Sequence, residues 1–126
     1  MLVHSTGPHA LAGEVKLVVG TGNRGAHTEG ALEDPFGLAI DNQGRLIISS
    51  LEGYTILRYD PTLEPAQQLQ CLAGRSGTRW FRDGMGATDS LLGDTAGVTV
   101  DPFDTIYFCD YARTYTRCMY CLLYGL

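Results

Sequence analysis

What this sequence lacks narrows it first. No run of apolar residues approaches the roughly 18 needed to cross a bilayer as a helix, and the opening Met1-Leu2-Val3-His4-Ser5-Thr6 has neither the basic region nor the apolar stretch of a secretory signal. The expectation is a soluble protein with no membrane association, cytoplasmic by default. Positive charge is scarce: 9 Lys and Arg stand against 14 Asp and Glu, a formal net charge of −5. That argues against nucleic acid as a partner, because phosphate binding leaves a basic footprint. Four cysteines are too few for a disulfide scaffold. The three histidines, His4, His9 and His27, have no ligand spacing and read as solvated loop residues, and the second half of the chain has none. Nothing calls for a metal or a cofactor. Helical periodicity is missing too, with no long window of apolar residues at i, i+3, i+4 and i+7 between capping residues.

What is present is short β-strand material, said twice. Hydrophobic residues make up 44% of the 126, enough for a packed core, and the 16 glycines fall at strand boundaries rather than in a collagen-like period. One copy runs from Val15 to Arg58 and the other from Leu69 to Arg117. Val15-Lys16-Leu17-Val18-Val19-Gly20 aligns with Leu69-Gln70-Cys71-Leu72-Ala73-Gly74, and Glu29-Gly30 aligns with Asp83-Gly84 at the same offset. After a longer loop in the second copy, Gly37-Leu38-Ala39-Ile40-Asp41 matches Gly97-Val98-Thr99-Val100-Asp101, and Leu46 to Ser50 matches Ile106 to Asp110. Asp41-Asn42-Gln43-Gly44 reads as a hairpin turn. Leu46-Ile47-Ile48 is apolar on both faces, as in a strand covered on both sides. Residues 1–14, without periodicity, read as a flexible lead-in to a repeat region at 15–126.

These stretches resemble the NHL repeat, a β-propeller blade. The carriers are L-V-V-G-T-G, P-F-G-L-A-I-D-N-Q-G-R-L-I-I-S and I-L-R in the first copy, with C-L-A-G, F-R-D-G-M-G, A-G-V-T-V-D and T-I-Y-F-C-D in the second. The resemblance implies an all-β partial β-propeller of four-stranded antiparallel blades. Gly37 to Gly74 would form one blade, Gly97 onward a second, and Val15 to Gly20 the outer strand of a preceding blade. Leu122-Leu123-Tyr124-Gly125 echoes that outer strand. Departures fall in the loops: Thr95 and Ala96 replace Pro35 and Phe36, Asp104 replaces Gly44, and Ser50 stands where Asp110 keeps the usual acid. Two blades leave sheet faces uncovered, so a fragment of a longer propeller or head-to-tail assembly into a ring is expected.

Asp41, Asp101 and Asp110 read first as strand-end aspartates that satisfy turn backbone. As metal or catalytic carboxylates they would need further ligands from other blades. Cys118-x-x-Cys121 has the spacing of half a zinc site without a second pair, and Cys109 could face Cys118 across the second hairpin. The stretch with the composition of a binding surface is Arg75 to Arg82, in which Arg75, Arg79, Trp80 and Arg82 are the candidate partner-binding residues. By the resemblance, Phe81 packs at the blade boundary. The expected function is a non-enzymatic scaffold that binds a protein partner through propeller loops. The alternatives are a fragment of a metal-dependent six-bladed lyase or lactonase, and single-stranded RNA binding through the Arg-Trp loop.

Overall fold

The computed structural model describes residues 2–5, 13, 15–80, 86–112 and 115–122; the strands at 2–5 and 115–122 are described by their backbone. Among the described residues the chain is all-β, with no α-helix. The strands are β1 (Leu2–Ser5), β2 (Val15–Val19), β3 (Pro35–Ile40), β4 (Leu46–Ser50), β5 (Thr55–Tyr59), β6 (Leu69–Gly74), β7 (Asp94–Val100), β8 (Ile106–Ala112) and β9 (Tyr115–Leu122). They form three sheets, β1-β2, β3-β4-β5-β6 and β7-β8-β9, in which every pairing is antiparallel.

Turn chemistry sets the hairpins. Asp41 Oδ1 accepts the N–H groups of Gln43 (3.0 Å) and Arg45 (2.9 Å), and Gly44 sits at φ 79°, so the chain reverses after β3. The β7–β8 turn is built the same way. Asp101 Oδ1 accepts from Phe103 (2.8 Å) and Thr105 (2.9 Å), with Asp104 at φ 62° in the place of the glycine. Aspartate tolerates this left-handed conformation better than most residues.

The repeat begins earlier than the sequence pattern indicates. Leu2–Ser5, expected within a flexible lead-in, is a strand paired with β2. Its ladder steps irregularly between Leu2 and Val3, and the β5–β6 ladder steps in the same way between Ile56 and Leu57, 54 residues on. β1-β2 is therefore the counterpart of β5-β6, and two strands of a preceding sheet are present where one was expected. Four residues without alternation gave no signal of this. The loop alignment also shifts. The 3-10 turn His27–Glu29 recurs as Ala87–Asp89, 60 residues on, the same offset as Gly37 to Gly97. The surplus of the second copy thus lies between Gly74 and Ala87, and Glu29 corresponds to Asp89 and not to Asp83, which is outside the described residues.

β4 is covered on both faces, as its sequence requires. Ile47, with Ile56, Leu72 and Ala73, packs against Ile106 and Phe108 of the third sheet and against Leu92 just before it. Ile48, one residue on, packs with Leu57 and Leu69 against Val19 and Leu32. Alternation along one strand thereby builds two cores. Burying each such side chain contributes about 1.5–3 kcal/mol. Polar ties add direction to the contact between the second and third sheets. The Ser49 hydroxyl accepts from the Gly37 N–H (2.7 Å) and donates to the Ala96 carbonyl. Thr95 Oγ1, fully buried, lies 2.9 Å from the Ser50 carbonyl and 3.2 Å from that of Thr55. Asn42 bonds the facing turn through Asp104 Oδ1 (2.8 Å) and the Pro102 carbonyl (2.9 Å).

At Gly37 β7 approaches the backbone of β3 closely. A Cβ there would stand 2.5 Å from the Ala96 carbonyl oxygen, whereas at Gly97, its counterpart, a Cβ meets nothing within 4 Å. Gly37→Ala is expected to lose about 1–3 kcal/mol by overpacking, and Gly97→Ala to gain up to about 1 kcal/mol from reduced chain entropy. Urea unfolding of the two variants beside the parent, at one low protein concentration, checks the contrast.

Candidate functional site

The loop singled out by composition leaves β6 at Gly74, which sits at φ 81° against Leu92. A turn follows, closed by the Thr78 N–H on the Arg75 carbonyl (3.1 Å), with Gly77 at φ 73°. The chain is then pinned twice. The Trp80 N–H donates to the Leu92 carbonyl (3.1 Å), and Arg79 Nε donates to Asp94 Oδ1 (2.8 Å) at the start of β7. The hydrogen bond to Asp94 holds the Arg79 guanidinium above the ordinary arginine pKa. Arg75 and Trp80 are exposed, the indole at 68%. Arg82 lies outside the described residues, as does Phe81.

Arg79 therefore holds the loop in place. The first copy has the same device: Arg24 bonds Asp34 (2.9 Å) and Glu52 (2.7 Å), and the Glu52 hydrogen bond raises its pKa most. Asp34 and Asp94 each stand three residues before the strand glycine, a regularity that the sequence contains. Since the first copy carries Gly25 after its arginine, the aromatic belongs to the second loop alone. The loop arginine repeats; the tryptophan does not.

Against models of known protein families, and against curated proteins, the chain has no match.

The candidate carboxylates are engaged with backbone. Asp41 and Asp101 hold their turns, Asp41 also bonds Arg45 Nε (2.7 Å), and Asp101 Oδ2 accepts from the Tyr107 hydroxyl (3.2 Å). Asp110, 1% exposed, accepts the Gly93 N–H with both oxygens (3.0 and 3.1 Å). They are not brought together. Among the described residues no three His, Cys, Asp or Glu side chains converge in a way that could hold a metal. Cys118 and Cys121 lie on β9, where the ladder runs from Phe108–Tyr120 to Asp110–Arg117 and so sets Cys109 opposite Cys118-Met119 in register.

His27 is not the solvated residue that its loop position implied. It lines a cleft of about 370 Å³ between β2, its own 3-10 turn and Pro65 to Leu69, together with Glu29, Tyr59 and Gln68. Its Nδ1 is buried without a hydrogen-bond partner, and burial lowers its pKa below 6.5. In the second copy Ala87 takes this place and packs on the core. No periodicity distinguishes a half-buried loop histidine from a solvated one.

His27 and Asp101 act in different parts of the pH range. Burial raises the Asp101 pKa, but hydrogen bonds from Thr105, Phe103 and Tyr107 outweigh it and leave the carboxyl below its ordinary value of 3.8. Both folded-state pKa values are depressed, so both groups favour the fold above their unfolded pKa and lose that contribution as pH falls through the folded value. His27→Gln is expected to flatten the stability curve just below pH 6.5, and Asp101→Asn, which keeps the acceptor oxygen, to flatten only the limb below pH 3.8. Urea midpoints measured from neutral to acid pH check both.

Proposed function

We propose that the chain is a length of NHL-type β-propeller that serves as a non-enzymatic scaffold, binding a protein partner through the Arg75–Trp80 loop. Several features support the propeller reading. The four-stranded meander β3-β4-β5-β6 has three- and two-stranded neighbours of the same register on either face. Equivalent positions face the same way in successive sheets: Ile48 and Phe108 each point toward the preceding sheet.

The observation that carries the functional reading is the placement of Trp80. An exposed indole costs solubility and does nothing for the core, yet its backbone is anchored to Leu92 and its neighbour Arg79 is held by Asp94. A large aromatic on an anchored backbone loses less entropy on binding than one on a free loop, and tryptophan and arginine are both enriched at interface hot spots. Arg75, exposed across the Arg75–Thr78 turn, offers a cation to an acidic or carbonyl-rich partner surface.

Trp80→Ala is expected to change stability by less than about 0.5 kcal/mol, as for a surface position outside the core. It is also expected to remove the proteins that cross-linking and mass spectrometry recover with the parent chain in cells, with Arg75→Ala reducing the same set and Thr62→Ala on the far loop leaving it intact. A recovered set that is the same for all three variants overturns the assignment of the loop.

A further inference from the structure

Two exposed faces of this chain match each other. The face that the third sheet turns away from the second carries Gly97, Thr99 and Cys109 in the open, with Tyr107 half-buried, around an open apolar hollow of about 260 Å³. Position by position these correspond to Gly37, Ala39, Ser49 and Ile47, the residues of the second sheet on which β7 is seated. At the other end, β3 exposes Phe36 (67%), Leu38 (50%) and Ile40 (63%) on one side. Their counterparts on β7 are Ala96, Val98 and Val100, and Val98 and Val100 pack on the second sheet. On this side β1-β2 packs around Ile48, Leu57 and Leu69 and leaves β3 bare.

From this correspondence we infer that the outer face of the third sheet receives the Phe36-Leu38-Ile40 side of a second copy of this chain, head to tail. The contact repeats the internal one between the second and third sheets. Gly97 is the most specific indication. It sits mid-strand, where glycine weakens a sheet, and no atom of its own chain requires it. At Gly37 the lack of a side chain admits the Ala96 carbonyl; at Gly97 it admits the Phe36 carbonyl of the second copy. Because front meets back and never itself, the contact is heterologous and adds copies in one direction.

Two internal ties have no counterpart here. Pro35 and Pro102 stand where Thr95 and Asn42 do, so the contact depends on apolar fit and is insensitive to salt. β1, as the counterpart of β5, and β9, as the strand after β8, correspond to each other, so full docking sets the eight-residue β9 beside β2 of the second copy in place of the four-residue β1.

The test is sedimentation velocity of the full chain over a range of concentrations, alone and with variants. The parent is expected to associate in a concentration-dependent way. Gly97→Val, which blocks the front, and Leu38→Lys, which blocks the back, are each expected to weaken association by about tenfold or more. An equimolar mixture of the two keeps one good front and one good back, and is expected to give heterodimers. Circular dichroism checks folding, and Ile40→Lys substitutes for Leu38→Lys if the latter unfolds. A parent that stays monomeric, a Leu38→Lys variant that still self-associates, or a mixture that does not pair each overturns the proposal. The inference rests on the repeat arrangement and not on the loop: Trp80→Ala is expected to associate like the parent, so failure of one reading is distinguishable from failure of the other.

Discussion

The approach of β7 to the bare backbone of Gly37 is the constraint on which the rest of the structure depends. Only there can a strand carbonyl, that of Ala96, enter between β3 and the Ser49 hydroxyl, which accepts from the Gly37 N–H and donates to that carbonyl. A buried hydroxyl satisfied on both sides has its desolvation offset by the bonds it makes, and the same hydroxyl without Ala96 would leave a donor unmet. The close contact then sets the height at which Ile47 and Ile56 meet Leu92, Ile106 and Phe108. Packing, register and turn contact between the two sheets follow from one missing side chain.

Repetition supplies the frame and departures from it supply the specificity. Both copies use an aspartate-closed turn, a 3-10 turn ahead of the first strand, and an arginine held by the aspartate that begins or precedes it. The ties at the internal contact come from residues that the other copy lacks. Thr95 has a hydroxyl where Pro35 has a ring, and Asn42 reaches Asp104 where Pro102 has no donor to offer. Even the shift from Gly44 to Asp104 follows this pattern, since the aspartate keeps the left-handed turn and adds the acceptor that Asn42 uses. Neighbouring units are therefore joined by distinct chemistry on a shared backbone plan, which favours one order of stacking over others.

Strand-forming patterns were legible where alternation or a β-branched run extended over five residues or more. Val15–Val19, Leu46–Ser50 and Leu69–Gly74 stand in the structure where the sequence puts them, and the double apolar face of Ile47-Ile48 was readable because both residues are large and adjacent. β1 was not readable, for it is four residues long and owes its place to pairing with β2. The loop offset was hidden by a chance match of an acidic residue and a glycine, which local composition cannot separate from a shared turn. At the candidate site the sequence singled out Arg79 and Trp80 together, yet their roles differ. A carboxylate fifteen residues away takes the arginine, and only the three-dimensional return of β7 brings it there.

That division of labour bears on what the loop can do. An exposed ion pair contributes little to stability, typically under about 1 kcal/mol, because water competes for both partners. Its effect on geometry does not suffer the same discount. Arg79 on Asp94 and the Trp80 amide on Leu92 fix two consecutive residues of an otherwise glycine-rich loop to the start of β7. A loop held only for stability would gain more by burying the indole, as apolar burial contributes more than any surface pair. The chain instead restrains the backbone and leaves the ring outside. Restraint without burial lowers the entropy lost on meeting a partner while keeping the contact area available, and that combination is what a recognition element requires.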